Sequence, residues 1–106
     1  MTTDCDLLTK VAVAVDIQVK EPTRYHIIMF NDSVTTEDFV LSVLTEIFGM
    51  STENALGMVT IIESLGSSIV ANNLSFELAT HLCLLVSEKS RMANFNLRVE
   101  IKEENS

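Results

Sequence analysis

From position 11 to 19 the chain alternates without a break. Val11, Val13, Val15, Ile17 and Val19 are β-branched, and Ala12, Ala14, Asp16, Gln18 and Lys20 stand between and after them. A period of two puts the β-branched set on one face of an extended strand. Such a strand invites pairing, so the segment is expected either to join a sheet edge or to make an interface, including one with a second copy. Residues 1 to 9 show no such period, and a mobile tail is the natural expectation there.

Pro22 ends the alternating segment, and Tyr25-His26-Ile27-Ile28-Met29-Phe30 follows as a near-continuous apolar run. A run of that kind predicts a buried, central strand. Asn31-Asp32-Ser33 stops it, because short polar side chains bond to nearby backbone and favour a turn or a helix start.

Thr35 or Thr36 is then placed to cap a helix in which Phe39, Val40, Val43, Leu44, Ile47 and Phe48 recur at helical spacing, and Gly49 ends it. Ser51 offers the next cap. Ala55, Met58, Val59, Ile62 and Leu65 mark one face of a second helix that closes at Gly66, so the two helices form a hairpin. A short strand, Ser67 to Ala71, leads into Asn72-Asn73. Ser75 caps a third helix carrying Glu77 and the apolar set Leu78, Leu82, Leu85 and Val86, which Asn94 to Asn96 breaks. Leu97, Val99 and Ile101 alternate with Arg98, Glu100 and Lys102 in a half-exposed final strand before the acidic residues 103–106.

The predicted order is strand, helix, helix, strand, helix, strand, with an extra strand at 11–19 before it. This is an α+β layer design, in which helices cover one face of a small sheet. At 106 residues one domain is expected, with a tail or extension over 1–21, a core over 22–102 and an acidic tail over 103–106. Hydrophobic residues make up 47% of the chain, enough to fold without metal or disulfide staples.

Charge narrows the partners. Fifteen acidic against seven basic side chains give a formal charge of −8, which repels phosphate backbones, so nucleic acid is not expected. The same charge favours cationic groups, including the ammonium at a polypeptide's N-terminus, and equally serves plain solubility. Apolar stretches such as Ile27 to Phe30 and Leu82 to Val86 are far too short to span a bilayer, and no basic leader precedes an apolar run. No membrane association and a cytoplasmic location are therefore expected. Cys5 and Cys83 are read as free thiols.

The stretch Pro22 to Asp32, followed by Thr35, Phe39-Val40 and Val43-Leu44, resembles the ClpS adaptors, in which a Tyr-led strand runs into an Asn-Asp loop and then a helix. Phe48-Gly49-Met50, Ala55, Gly66 and the Leu97 strand fall in the same order, so the likeness spans about Pro22 to Ile101. It implies a three-stranded antiparallel sheet packed on three helices. It also implies a non-enzymatic activity: binding the first residue of N-degron substrates and docking on the N-terminal domain of a ClpA- or ClpC-type AAA+ unfoldase.

Site residues follow from the resemblance. Capturing an N-terminus requires acceptors for three N–H donors beside an apolar hole. Asn31 and Asp32 match the family's α-amino ligands, where a carbonyl oxygen and a carboxylate hold the ammonium; otherwise they are turn and cap residues. Glu63 stands where the family carries a His, and beside Asp32 the two carboxylates are expected to repel, raising one or both pKa values. Ser33 replaces a second Asp. Thr35, Val40, Val59, Ile62 and Leu97 match the lining of the apolar hole, although each is equally explicable as core. Glu37 takes the place of a gatekeeper Met, and an acidic lip there shifts preference toward polar or basic first residues, or marks a pocket no longer used. For unfoldase docking, Glu77 matches a contact, and the companion Lys appears as Leu82 beside His81.

No motif calls for a metal or cofactor. His26 and His81 are far apart in sequence, and His81 and Cys83 point to different helix faces, which is poor geometry for a nucleophile and base. Two readings remain: an adaptor that retains N-terminus binding with altered selectivity, and an interaction or regulatory module that binds an AAA+ N-domain without a working degron pocket.

Overall fold

The apolar run Tyr25–Phe30 forms β1, the middle strand of the sheet, and the computed structural model describes the chain around it from residue 22 to residue 104. The expected strand at 11–19 lies outside the described residues. β1 is not buried throughout: Ile27 and Met29 are fully buried, whereas Ile28 and Phe30 are only half-buried. Layers on both faces would bury all four. Here the helices cover one face, so alternate side chains reach the core.

β2 (Ser67–Leu74) and β3 (Val99–Glu103) flank β1 in antiparallel pairs, giving the order β2-β1-β3. β3 pairs in unbroken register from Tyr25↔Glu103 to Met29↔Val99. The β1–β2 ladder slips twice, and β2 continues past Ala71, where it was expected to stop, to Leu74. Asn73 makes this extension with a φ of 58°, a left-handed value that Asn tolerates better than most residues. A bulge of this sort keeps a strand paired while absorbing extra residues.

The helices begin and end where their caps dictate. Thr36, not Thr35, caps α1 (Glu37–Glu46), its hydroxyl accepting from the Phe39 N–H at 3.2 Å. Ser51 caps α2 (Thr52–Leu65) at 3.1 Å, and Ser75 caps α3 (Phe76–Met92) at 3.1 Å. Gly66 closes α2 at φ 90°, a conformation that strains any residue with a Cβ, and its N–H returns to the Ile62 carbonyl.

The core sits between the covered sheet face and the helices. Ile27 and Met29 meet Val43 and Leu44 of α1, Val59 and Ile62 of α2, and Ala79 and Val86 of α3. Full burial of a Val, Leu, Ile or Met side chain contributes about 1.5–3 kcal/mol. The folded unit runs slightly past residue 102. Glu103 belongs to β3, and the Glu104 N–H donates to the Arg24 carbonyl at 2.9 Å. The Glu104 carboxylate accepts from the Asn73 N–H. Among the described residues no helix is long and apolar enough to cross a membrane, and no His, Cys, Asp and Glu cluster could hold a metal ion.

Candidate functional site

The end of β1 is tied to the end of α2. The Asn31 N–H donates to the Gly66 carbonyl at 2.9 Å, which sets the Asn31-Asp32 loop beside the last turn of α2, the turn that carries Glu63. The Asn31 side chain is exposed and makes no hydrogen bond among the described residues. Asp32 is held by its own loop: the Thr35 N–H at 2.9 Å and the Thr35 hydroxyl at 2.5 Å both donate to Asp32 Oδ2.

Those donors decide the charge state. The Thr35 hydroxyl, against a smaller opposing effect of burial and with help from the Thr35 and Val34 N–H groups, holds the Asp32 carboxyl below its ordinary value. Asp32 is thus firmly anionic at neutral pH. Thr35, assigned by resemblance to the side-chain pocket, has its hydroxyl engaged by Asp32. Val34, 71% exposed at the crest of the same turn, is an apolar residue that pattern reading passed over; its only signal was a β-branched side chain inside a polar turn.

Glu63 moves in the expected direction but through a different neighbour. Its neighbour in the structure is Glu37, the residue at the proposed lip of the pocket. A hydrogen bond to the Glu37 carboxyl, some burial and the Glu37 charge together push the Glu63 carboxyl up. Two carboxyl groups this close disfavour the charged form, which is the direction in which Glu63 moves. Repulsion from Asp32 was expected to raise one or both of that pair; Asp32 instead moves down, because hydrogen-bond donors surround it.

The apolar positions divide. Val59, Ile62 and Leu97 are buried members of the core, and Val40 packs against it half-buried. Leu97 also lines a hollow of about 250 Å³ with Ser87, Ser90, Arg91, Phe95 and Asn96. A second hollow, about 370 Å³, lies against Phe39, Lys89, Met92 and Ala93, and a third, about 440 Å³, lies on α2 at Met50, Gly57, Met58 and Ile61. On α3, Glu77 and His81 are exposed and one turn apart, whereas Leu82 packs against the core and so does not join them.

Comparison with known proteins is consistent in every direction. The profile of the family described as "ATP-dependent Clp protease adaptor protein ClpS" matches residues 20–100. The ClpS adapter protein of Campylobacter jejuni is 34% identical over 87 residues, 82% of this chain and 90% of that protein. That of Oleidesulfovibrio alaskensis is 31% identical over 91 residues, 86% of each chain. The solved structure of Agrobacterium tumefaciens ClpS2 bound to L-phenylalaninamide superposes with a TM-score of 0.75 at 24% identity, over 79% of this chain and 100% of that one.

Proposed function

Because the chain belongs to the ClpS family of adaptors of the ATP-dependent Clp protease, we propose that it binds the N-terminal residues of substrate proteins and delivers them to a ClpA- or ClpC-type unfoldase in the cytoplasm, without catalysing a reaction itself. The observation that carries this reading is the pair of acceptor side chains at the end of β1, Asn31 and Asp32. Asp32 is kept anionic by Thr35, and the Asn31 side chain stands exposed beside it. A carboxylate and an amide carbonyl are the acceptors an α-ammonium group needs. L-phenylalaninamide, held by the Agrobacterium tumefaciens relative, has a free α-amino group and an amide where the next peptide bond would be; the likeness of that relative to this chain is one of fold.

Selectivity then lies with Glu37 and Glu63. Their two carboxyl groups make an acidic lip, a chemistry that favours polar or basic first side chains over purely aromatic ones. Glu77 and His81 are the residues assigned to the unfoldase contact, with Leu82 supporting them from the core.

The Glu37–Glu63 contact also favours a second reading, in which the lip is closed and the protein binds an AAA+ N-domain without taking a substrate. Titration with peptides that differ only in their first residue separates the two. Binding of at least one peptide, lost in an Asp32→Ala variant that still folds and melts cooperatively, supports the adaptor reading. No binding at about 1 mM, which corresponds to about −4 kcal/mol, for any first residue rejects its substrate half. Failure to form a complex with any ClpA- or ClpC-type N-domain rejects both.

A further inference from the structure

The C-terminus of α3 folds the chain back on itself. Asn94 takes a left-handed φ of 63°, a value that Asn tolerates better than most residues. The Asn94 N–H donates to the Arg91 carbonyl at 3.1 Å and the Phe95 N–H to the Ser90 carbonyl at 2.9 Å, the paired bonds that satisfy the last carbonyls of a helix. The turn brings Phe95 beside the last turn of α3, where one side of its ring meets Phe39 at 4.9 Å between centroids. Against α3 and this loop lies the hollow of about 250 Å³. Ser90 and Leu97, 4% and 7% exposed, form its floor, and Ser87, Arg91 and Asn96 are exposed at its rim. Of the residues assigned to N-terminus binding and the side-chain pocket, only Leu97 takes part.

The lining is rich in donors and carries no carboxylate side chain. Two hydroxyls, an amide and a guanidinium surround the space. Lys89 and Arg98 are each paired with a glutamate, whereas the Arg91 side chain makes no ion pair among the described residues. The Ser90 hydroxyl oxygen is buried without a hydrogen-bond partner, so an acceptor that reaches it removes the penalty of an unmade bond. The carbonyls at the helix end are already engaged by the turn, which lessens their opposition to an anion. A hollow of about 250 Å³ falls below the roughly 300–1,000 Å³ that holds drug-sized ligands, and so fits a smaller molecule.

We propose that this hollow binds a small carboxylate with a short apolar tail, one carboxylate oxygen accepting from the Ser90 hydroxyl, the other facing the Arg91 guanidinium, and the tail lying against Phe95 and Leu97. A carboxylate matches the planar fork of a guanidinium. Inorganic phosphate offers the charge but nothing to cover the apolar wall, and a neutral amide of the same shape offers the tail without the charge.

Heteronuclear NMR titration of the full chain with butyrate, butyramide and inorganic phosphate tests the proposal. Butyrate is expected to shift the signals of Ser87, Ser90, Arg91 and residues 95–97 saturably, with half-saturation at or below about 10 mM, while those of Asn31 and Asp32 stay in place. Butyramide and phosphate are expected to bind at least about tenfold more weakly. Arg91→Gln is expected to weaken butyrate binding about tenfold and Ser90→Ala about fivefold, each variant keeping the dispersed spectrum of the folded protein. Shifts that grow without saturating overturn the proposal, and so do shifts centred on Asn31 and Asp32. Equal affinity for butyramide reduces the hollow to an apolar contact, and equal affinity for phosphate to a bare charge; either overturns it. Butyrate binding that Arg91→Gln and Ser90→Ala both leave unchanged does the same.

Discussion

Two carboxyl groups, one in the loop after β1 and one in the last turn of α2, are pushed in opposite directions. Asp32, in the loop after β1, is surrounded by donors from Thr35 and Val34 and moves down. Glu63, in the last turn of α2, faces Glu37 and moves up. Both are acidic residues and neither is deeply buried, so the amino-acid type does not decide the charge; the neighbours do. Asp32 is the more firmly anionic of the two, and Glu63 the one whose charge is more readily lost.

The sharpest way to break this comparison is to remove its fixed half. Asp32→Ala is expected to weaken binding of peptides with a free N-terminus on the order of 10- to 100-fold, as read by calorimetric titration, while the protein still melts cooperatively at a somewhat lower temperature. Thr35→Val acts on the same half more gently. It removes the hydroxyl donor and leaves the backbone N–H, so the Asp32 pKa is expected to rise toward its ordinary value and binding to weaken at acid pH; the carboxyl carbon shift followed by NMR reports it.

Glu63→Gln addresses the other half, where the effect is smaller and shows in the pH profile of stability. The Glu63 pKa is raised in the folded protein above its ordinary 4.5. Its contribution is therefore fully present below that value and is lost as pH rises through the raised one. Asp32 has the reverse sign: its pKa is depressed below 3.8, so its stabilisation is present above that value and is lost as pH falls through the depressed one. Thermal melts across the acidic range are expected to show the Glu63 loss in the wild type and a flatter profile in Glu63→Gln. The smallest effect concerns Cys83, whose thiol burial pushes up. Its alkylation at neutral pH is expected to run slower than that of a free peptide thiol, as timed by mass spectrometry.

The fold was legible because its punctuation is local. Ser51, Ser75 and Gly66 act through their own backbone geometry, and β1 is marked by six residues in a row. Asn72-Asn73 misled, since Asn serves a turn and a bulge equally well, and only pairing with β1 decides between them. Asn31 and Asp32 were legible as the polar stop at the end of β1, but not the orientation of Thr35. The meeting of Glu37 with Glu63 joins the start of one helix to the end of the next, and no local pattern encodes it. Leu82 likewise reads as a surface position by resemblance and as core by its helical phase, and packing settled it.

Calorimetric titration of one peptide in two forms, with its N-terminus free and acetylated, probes the Asn31-Asp32 pair most directly, because acetylation removes the positive charge and little else. Binding of the free form at least about tenfold tighter, a difference of about 1.4 kcal/mol, is the expected result. Equal affinity for the two forms would contradict a pair of acceptors that holds an ammonium group.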